Sequence, residues 1–218
     1  MKRDIITSAI AIVVLTLLCG ILYPLVITGI SQVAFPGNAN GQKVYVGGKL
    51  VGSKIIGQQF ADQVVKNGKP QVDKNGNPVT NPDPRYFQGR PSATVPPYNA
   101  AATTFSNLGP NNTATEQAIA SNIQAYLALE KPYDPGLSTA KVPVDAANGS
   151  ASGIDPDISV ANADIQAHRV AAVRHVSLSQ VNQLVSNYTH GRGLGFSGEP
   201  GVNVLELNLA LNRLTGGH

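Results

Sequence analysis

After Lys2-Arg3-Asp4 the chain enters an apolar run, Ile5 to Ile30, that holds no charged residue. As a helix this run measures about 39 Å at roughly 1.5 Å per residue, more than a hydrocarbon core of about 30 Å. A cleaved signal peptide has a shorter apolar stretch of about 7–15 residues ending at small residues. Here the run is longer, and "ISQVAFPG" is a poor cleavage site. The pattern predicts an uncleaved transmembrane helix over 5–30. Lys2 and Arg3 precede it, and the next basic residue is Lys43. That asymmetry orients residues 1–4 to the cytoplasm and residues 31–218 to the outside. Inside the run, Pro24 removes a helical hydrogen bond, a defect that neighbouring helices or polar side chains repair in a membrane. Thr16 and Gly20 are a small-xxx-small pair. Thr16, Gly20 and Pro24 therefore favour a face that packs against partner helices over a lone anchor that tolerates a proline.

Beyond the run the pattern becomes mixed, and the fold class it predicts is an α+β domain behind a single N-terminal transmembrane helix. "KVYVGGKLVGSKIIGQQF" carries two apolar runs around Gly47-Gly48 and predicts a hairpin with a two-residue turn. Residues 61–84, with two Asn-Gly pairs and four prolines, read as an insertion: a loop or small extra hairpin outside the core. "RYFQGRPSATVPPYNAAATTFSNLGPNN" has little periodicity and predicts ordered but irregular chain. Helical spacing then appears at Ile119, Ile123, Tyr126 and Leu127, opened by a Thr113/Glu116 capping box. A short strand is expected at Val142–Val144. Ser159 reads as the N-cap of a helix through "VANADIQAHRVAAVRHV". Ser177 with Gln180 opens another helix, with Leu178, Val181, Leu184, Val185 and Tyr188 on one face and Gly191 at its end. Asn203 with Glu206 caps a last one, with Val204, Leu207, Leu211 and Leu214 in register.

Composition narrows the possible chemistry. The net charge of +3 comes from scattered Lys and Arg, with no basic stripe for nucleic acid. The single Cys19 rules out an intrachain disulfide and any multi-cysteine zinc site. "GIDPDISVANADIQAHR" gathers Asp155, Asp157, Asp164 and His168. As a calcium loop starting at Asp155 it fails, because the sixth position is Val160 rather than Gly and the twelfth is Gln166 rather than Glu. Asp155 and Asp157 fit the start of a helix, where carboxylates favour the dipole. Asp164 and His168 are i, i+4 neighbours with no third convergent group, a surface pair. "GLGFSG", Gly193 to Gly198, matches the spacing of a dinucleotide loop but follows a helix and runs into Glu199-Pro200, the wrong context. No nucleophile–base pair and no metal set emerges, so no catalytic and no metal-ligating residue is assigned.

Several ordered blocks carry a resemblance. "GILYPL", "VGSKIIGQQF", "YFQGRPSA", "PYN", "SNLGPNN", "SASGIDPDIS", "QAHRVAAVR" and "NVLELNLAL" together resemble the C subunit (KdpC) family of the Kdp potassium-transporting P-type ATPase. Residues 61–84 are longer than that family's usual spacer, and the helix after "TATEQAI" matches only loosely. The resemblance implies an accessory, non-catalytic subunit of the inner membrane in a complex that carries K+. Its partners would be a channel-like potassium-selecting subunit, a P-type ATPase subunit and a small single-span subunit, with the lipid bilayer around them. It also implies a catalytic-chaperone role that raises ATP affinity in the ATPase subunit, with no tightly bound cofactor in this chain. If the outer domain held ATP itself, the Gln166 amide could meet an adenine edge with Arg169 beside a phosphate. No Gly-rich loop accompanies them, and the plainer reading is a solvated helix face. "RYFQGRPS" offers an interface: Arg85, Tyr86, Phe87 and Arg90 are the aromatic and Arg mix found at interface centres, or equally a local core with an Arg rim. Two other classes stand beside the accessory subunit, a membrane-anchored ectoenzyme and a stand-alone binding module.

Overall fold

A computed structural model describes residues 2–74 and 76–216. It divides into two compact units, Met1–Ser53 and Lys54–His218. The first is a helix followed by a hairpin. A continuous helix runs from Lys2 to Ala34, 33 residues or about 50 Å at roughly 1.5 Å each, long and apolar enough to cross a membrane. It comprises α1 (Lys2–Leu15), a π-helical segment (Thr16–Leu22) and α2 (Tyr23–Ala34). Pro24 explains the middle piece. Proline has no N–H, and its ring crowds the carbonyl four residues back. The ladder widens just before it, so that Tyr23 N–H reaches Leu18 O, five residues back. The hydrogen bond lost at Pro24 is thus accommodated by a π segment. None of the helix's apolar side chains is buried; Ile5 and Ile12 are each 66 % exposed.

A short turn of helix, α3 (Pro36–Ala39), is fastened to α2 by Asn40 Nδ2 donating to Gln32 Oε1 at 3.0 Å. The hairpin β1 (Lys43–Val46) and β2 (Lys49–Ser53) follows, antiparallel, with Val46 opposite Lys49. Gly47 and Gly48 form the turn at φ 57° and 79°, the left-handed region a two-residue hairpin turn requires.

In the second unit the insertion is a pair of small hairpins. β3 (Ala61–Gln63) pairs with β6 (Thr80–Pro82), and β4 (Val65–Lys66) with β5 (Lys69–Pro70) around Asn67-Gly68. Of the second Asn-Gly pair, Asn75 lies outside the described residues. Near the end of the 61–84 stretch, Asp83 is buried.

Irregular chain leads to α4 (Thr113–Glu130), which half-buries Ile119, Ile123, Tyr126 and Leu127. Its N-cap is Asn112, whose side chain accepts from Ala114 N, one residue before the expected Thr113. The strand expected at Val142–Val144 is instead a 3-10 turn (Thr139–Lys141) and a short helix α5 (Val144–Ala147). Pro143 supplies no N–H for a ladder, and Val144 points out, 77 % exposed.

The core lies between a three-stranded antiparallel sheet and three helices. The sheet runs β7 (Asp157–Ser159), β9 (Gly201–Asn203), β8 (Thr189–His190). The helices are α6 (Val160–Arg174), α7 (Leu178–Asn187) and α8 (Val204–Leu214). Their caps are the expected ones. Ser159 accepts from Asn162 N, Ser177 and Gln180 form a reciprocal box, and Asn203 accepts from Glu206 N. α7 stops at Asn187 rather than at Gly191, because Thr189 and His190 leave to pair with β9. Ala163, Ala167, Val170, Val181, Val185, Leu207 and Leu211 fill the interior with Phe87 and Ile158. Leu214, expected on the buried stripe, is 40 % exposed.

Candidate functional site

The polar interior centres on one segment without regular secondary structure, Arg85–Gln88, which among the described residues pairs with no strand. Irregular chain in a core must still satisfy its backbone groups. Here side chains take the place of a neighbouring strand. Asn208 on α8 accepts from Phe87 N and donates to Phe87 O, both at 2.9 Å. Gln166 on α6 accepts from Gln88 N at 2.7 Å and donates to Gln88 O at 3.0 Å. Two arginines take the remaining carbonyls. Arg169 donates to Pro84 O and Tyr86 O, and Arg174 to Arg85 O. Each primary amide thus pairs with one residue's N–H and C=O as a ladder partner would.

A second layer holds these side chains. Arg169, fully buried, places Nε against both carboxylate oxygens of Glu130 at 2.9 and 3.0 Å. Burial pushes the Glu130 carboxyl up to about 7, against the pull of the Arg169 charge and hydrogen bonds. Gln166 Nε2 also donates to Asn162 Oδ1, which accepts from the Tyr126 hydroxyl as well. Asp145 receives Ser159 N, Ser159 Oγ and Asn162 Nδ2 within 2.9 Å. Tyr86 meets the Phe60 ring, tilted by 35° with centroids 5.4 Å apart, and the Arg174 guanidinium 4.5 Å from its centroid.

Beside this network lies a cavity of about 250 Å³ bordered by Gln88, Arg90, Tyr98, Tyr126, Glu130 and Gln166. Tyr98 closes one side, its hydroxyl donating to Arg90 O at 2.6 Å. A side chain at Gly89 would overlap that hydroxyl, so the close approach requires glycine. Arg90 reaches Asp155 at 3.1 Å and Gly149 O at 3.1 Å, while its Nε is buried without a hydrogen-bond partner.

The residues singled out from sequence fall as follows. Gln166 and Arg169 do not lie on a solvated helix face; both are buried. The Gln166 amide uses two acceptor positions, for Gln88 N and Arg169, and both of its donors. A nucleotide edge reaches it only by displacing one of these bonds. Of Arg85, Tyr86, Phe87 and Arg90, only Phe87 is buried outright, while the Arg85 side chain is 51 % exposed. Phe87 is fully buried, Tyr86 lies against the tilted Phe60 ring, Arg85 grips Asp83, and Arg90 is tied to Asp155. Burial raises the Asp83 carboxyl, but the Arg85 guanidinium more than reverses this and leaves it below its usual range.

Asp155 and Asp157 do not cap α6. Asp155 holds Arg90 and Asp157 N, while Asp157 sits in β7 beside Asn203 and His190. The carboxylate at that helix start is Asp145, just past the expected strand Val142–Val144. Asp164 and His168 are exposed, and no ion pair joins them among the described residues. Asn208, Glu130 and Asp145 are functional to the fold yet were missed. For Asn208 a signal existed: a polar residue within the buried spacing of Val204, Leu207 and Leu211. Among the described residues no three His, Cys, Asp or Glu side chains gather in a metal-holding group.

Fold and site together define a class: a small α+β domain behind one long apolar helix, its buried polar groups engaged in holding its own backbone. Sequence comparison gives the particular family. Residues 5–213 match the family described as KdpC: K+-transporting ATPase, c chain. A potassium-transporting ATPase KdpC subunit of Methylococcus capsulatus is 47% identical over 204 residues, 93% of this chain and 94% of that one. Its counterpart in Herpetosiphon aurantiacus is 45% identical over 205 residues, covering 94% and 93%. That of Mycobacterium tuberculosis is 42% identical over 214 residues, 98% of this chain and 100% of the relative. The chain belongs to the KdpC family.

Proposed function

We propose that this chain is the accessory, non-catalytic C subunit of an ATP-driven potassium uptake complex in the cell membrane. It spans the bilayer once over 5–30, with residues 1–4 in the cytoplasm and the domain 31–218 outside. Its partners are a P-type ATPase subunit, a channel-like potassium-selecting subunit and a small single-span subunit. The observation that carries the reading is the family match across 5–213, which takes in both the long helix and the α+β domain.

The chaperone role, raising the ATP affinity of the ATPase subunit, then has to cross the membrane. ATP is cytoplasmic and the domain is not, so the coupling is a bias between two states of the assembly, transmitted through helix contacts. The face at Thr16, Gly20 and Pro24 suits this. A methyl added at Gly20 would meet only Thr16 Cγ2, at 3.9 Å, so the groove there is open to a second helix. Direct nucleotide binding at Gln166 is disfavoured because its amide is already engaged by Gln88, Asn162 and Arg169.

Two measurements test this. Extraction in mild detergent should bring down a P-type ATPase and a channel-like subunit with the tagged chain. Isolation of the chain alone would leave the ectoenzyme or binding-module reading. Titration calorimetry on residues 31–218 should give an ATP affinity no tighter than millimolar, about −4 kcal/mol. Micromolar binding lost in Gln166→Ala would overturn the indirect route.

A further inference from the structure

Helix α4 is held to its unit differently from the other helices. α6, α7 and α8 each bury apolar side chains in the core. α4 buries one side chain outright, and it is the carboxyl of Glu130. The inner stripe of α4 borders cavities instead. Ala118 and Ile119 line one of about 300 Å³, Ala125, Tyr126 and Leu129 line one of about 250 Å³, and Asn122 lines both. These positions recur every three or four residues, the stripe that a surface helix ordinarily packs closely against its neighbours. Residues 101–112, leading into α4, are exposed throughout, while buried Leu137 holds the chain beyond its other end.

Polar contacts do much of the holding. Three side chains, each one helical turn from the next, reach the body of the unit. Asn122 Nδ2 donates to Ala147 O at 2.9 Å, the Tyr126 hydroxyl donates to Asn162 Oδ1 at 2.9 Å, and Glu130 accepts from Arg169 Nε at 2.9 and 3.0 Å. Arg169 also donates to Pro84 O, Tyr86 O and Gln166 Oε1, none of them on α4. It therefore keeps its place whether or not α4 does.

The third tie titrates. Glu130 faces Arg169 on α6 and Tyr126 one turn back on α4. Asp145 on α5 acts on Tyr126 from the far side, and Arg90 and Tyr98 lie across the cavity. Lys131, Tyr133 and Asp134 follow in the turn after α4. Burial raises the Glu130 carboxyl from 4.5 to about 7, against the pull of Arg169. A lifted α4 returns that carboxyl to water and toward its ordinary value, so lifting releases a proton and rising pH favours it. We propose that α4 is a cover that lifts from the rest of the unit in one piece, its Glu130–Arg169 clasp opening with loss of the Glu130 proton. Lifting bares the Arg169 guanidinium and the Asn162 amide, and gives this unit a surface that changes with pH.

Amide hydrogen exchange on the full chain in mild detergent tests this. The amides of residues 117–130 should exchange together, roughly tenfold or more faster than those in the middle of α7. After correction for base catalysis of exchange itself, the opening of α4 should rise about tenfold between about pH 6 and 8. Glu130→Gln should abolish that rise. Tyr126→Phe removes a neighbouring tie and leaves the carboxyl in place, so it should speed α4 exchange about fivefold and keep the rise. Should Glu130→Gln fail to fold, the wild type and Tyr126→Phe decide. Exchange of α4 no faster than that of α7, exchange graded from the Asn112 end with residues 125–130 as slow as α7, or an opening in the wild type that ignores pH would each overturn the proposal.

Discussion

Replacing Asn208 by leucine tests whether side-chain amides truly stand in for a strand. Asn208 is fully buried, and so is Phe87, whose N–H and C=O it holds at 2.9 Å each. Leucine has a similar size but neither donor nor acceptor. Both backbone groups of Phe87 would be orphaned where no water reaches, at about 1–3 kcal/mol each. Against this, the buried leucine side chain gains about 1.5–3 kcal/mol. The expected net loss is about 2–3 kcal/mol, within a total stability of about 5–15 kcal/mol, so the domain still folds. For a domain of this size that corresponds to a melting temperature lower by about 5–10 °C, read by circular dichroism on the full chain in mild detergent. The loss should be local as well. Amide exchange at Phe87 and Gln88 should accelerate, while amides in the middle of α7 change only with global stability. Asn208→Asp keeps the acceptor but removes the donor and buries a charge, and should destabilise at least as much. A leucine variant that melts within about 1 °C of the wild type with Phe87 exchange unchanged would refute the argument.

Four further outcomes are expected. Ser159→Ala should destabilise the domain by about 0.5–2 kcal/mol in chemical denaturation, because Asn162 N and Asp145 both lose a partner; Asp164→Asn, at an exposed position, should leave transport nearly unchanged. The Glu130 carboxyl is raised from 4.5 to about 7 by burial, so the folded form holds a proton that the unfolded form releases. Its stability contribution is full below about 4.5 and is lost as pH rises through 7; melting curves on wild type and Glu130→Gln should show that slope only in the wild type. A cysteine placed at exposed Ser138 in a Cys19→Ser background should react with an impermeant thiol reagent on intact cells, and labelling only after lysis would reverse the topology. Gly20→Leu should lower ATPase activity of the assembled pump while circular dichroism of the outer domain stays unchanged; full activity would remove the packing face from the coupling route.

What the sequence made legible was local. The caps at Ser159, Ser177 and Asn203, the Gly47-Gly48 turn and the apolar run before Ile30 each depend on residues within a few positions of one another. Their physics is short-range, so spacing is enough to find them. The reading erred where a distant partner decides. Asn208 and Phe87 are 121 positions apart, and Gln166 and Gln88 are 78 apart. Periodicity reports which face of a helix is buried but not what lies across from it. Gln166 and Arg169 therefore looked solvated, and Phe87 stayed open between a partner contact and a local core.

The placement of Asp145 shows the same limit from the other side. An isolated helix start is well served by Asp155 or Asp157, both near Ser159 in sequence. The fold uses those two elsewhere, on Arg90 and on Asn203, and brings Asp145 in through the turn after Pro143. That exchange has a structural reason. Arg85–Gln88 lacks a strand neighbour, so its backbone depends on Gln166, and Gln166 is oriented by Asn162, which Asp145 holds. The buried Arg169–Glu130 pair belongs to the same chain of dependence. Such a pair adds little stability compared with an apolar replacement, yet breaking one side of it costs about 3–5 kcal/mol. Its contribution is therefore best sought in position: it fixes where the carbonyls of Pro84 and Tyr86 must lie, and with them the one register in which the two amides can each meet a full N–H and C=O pair.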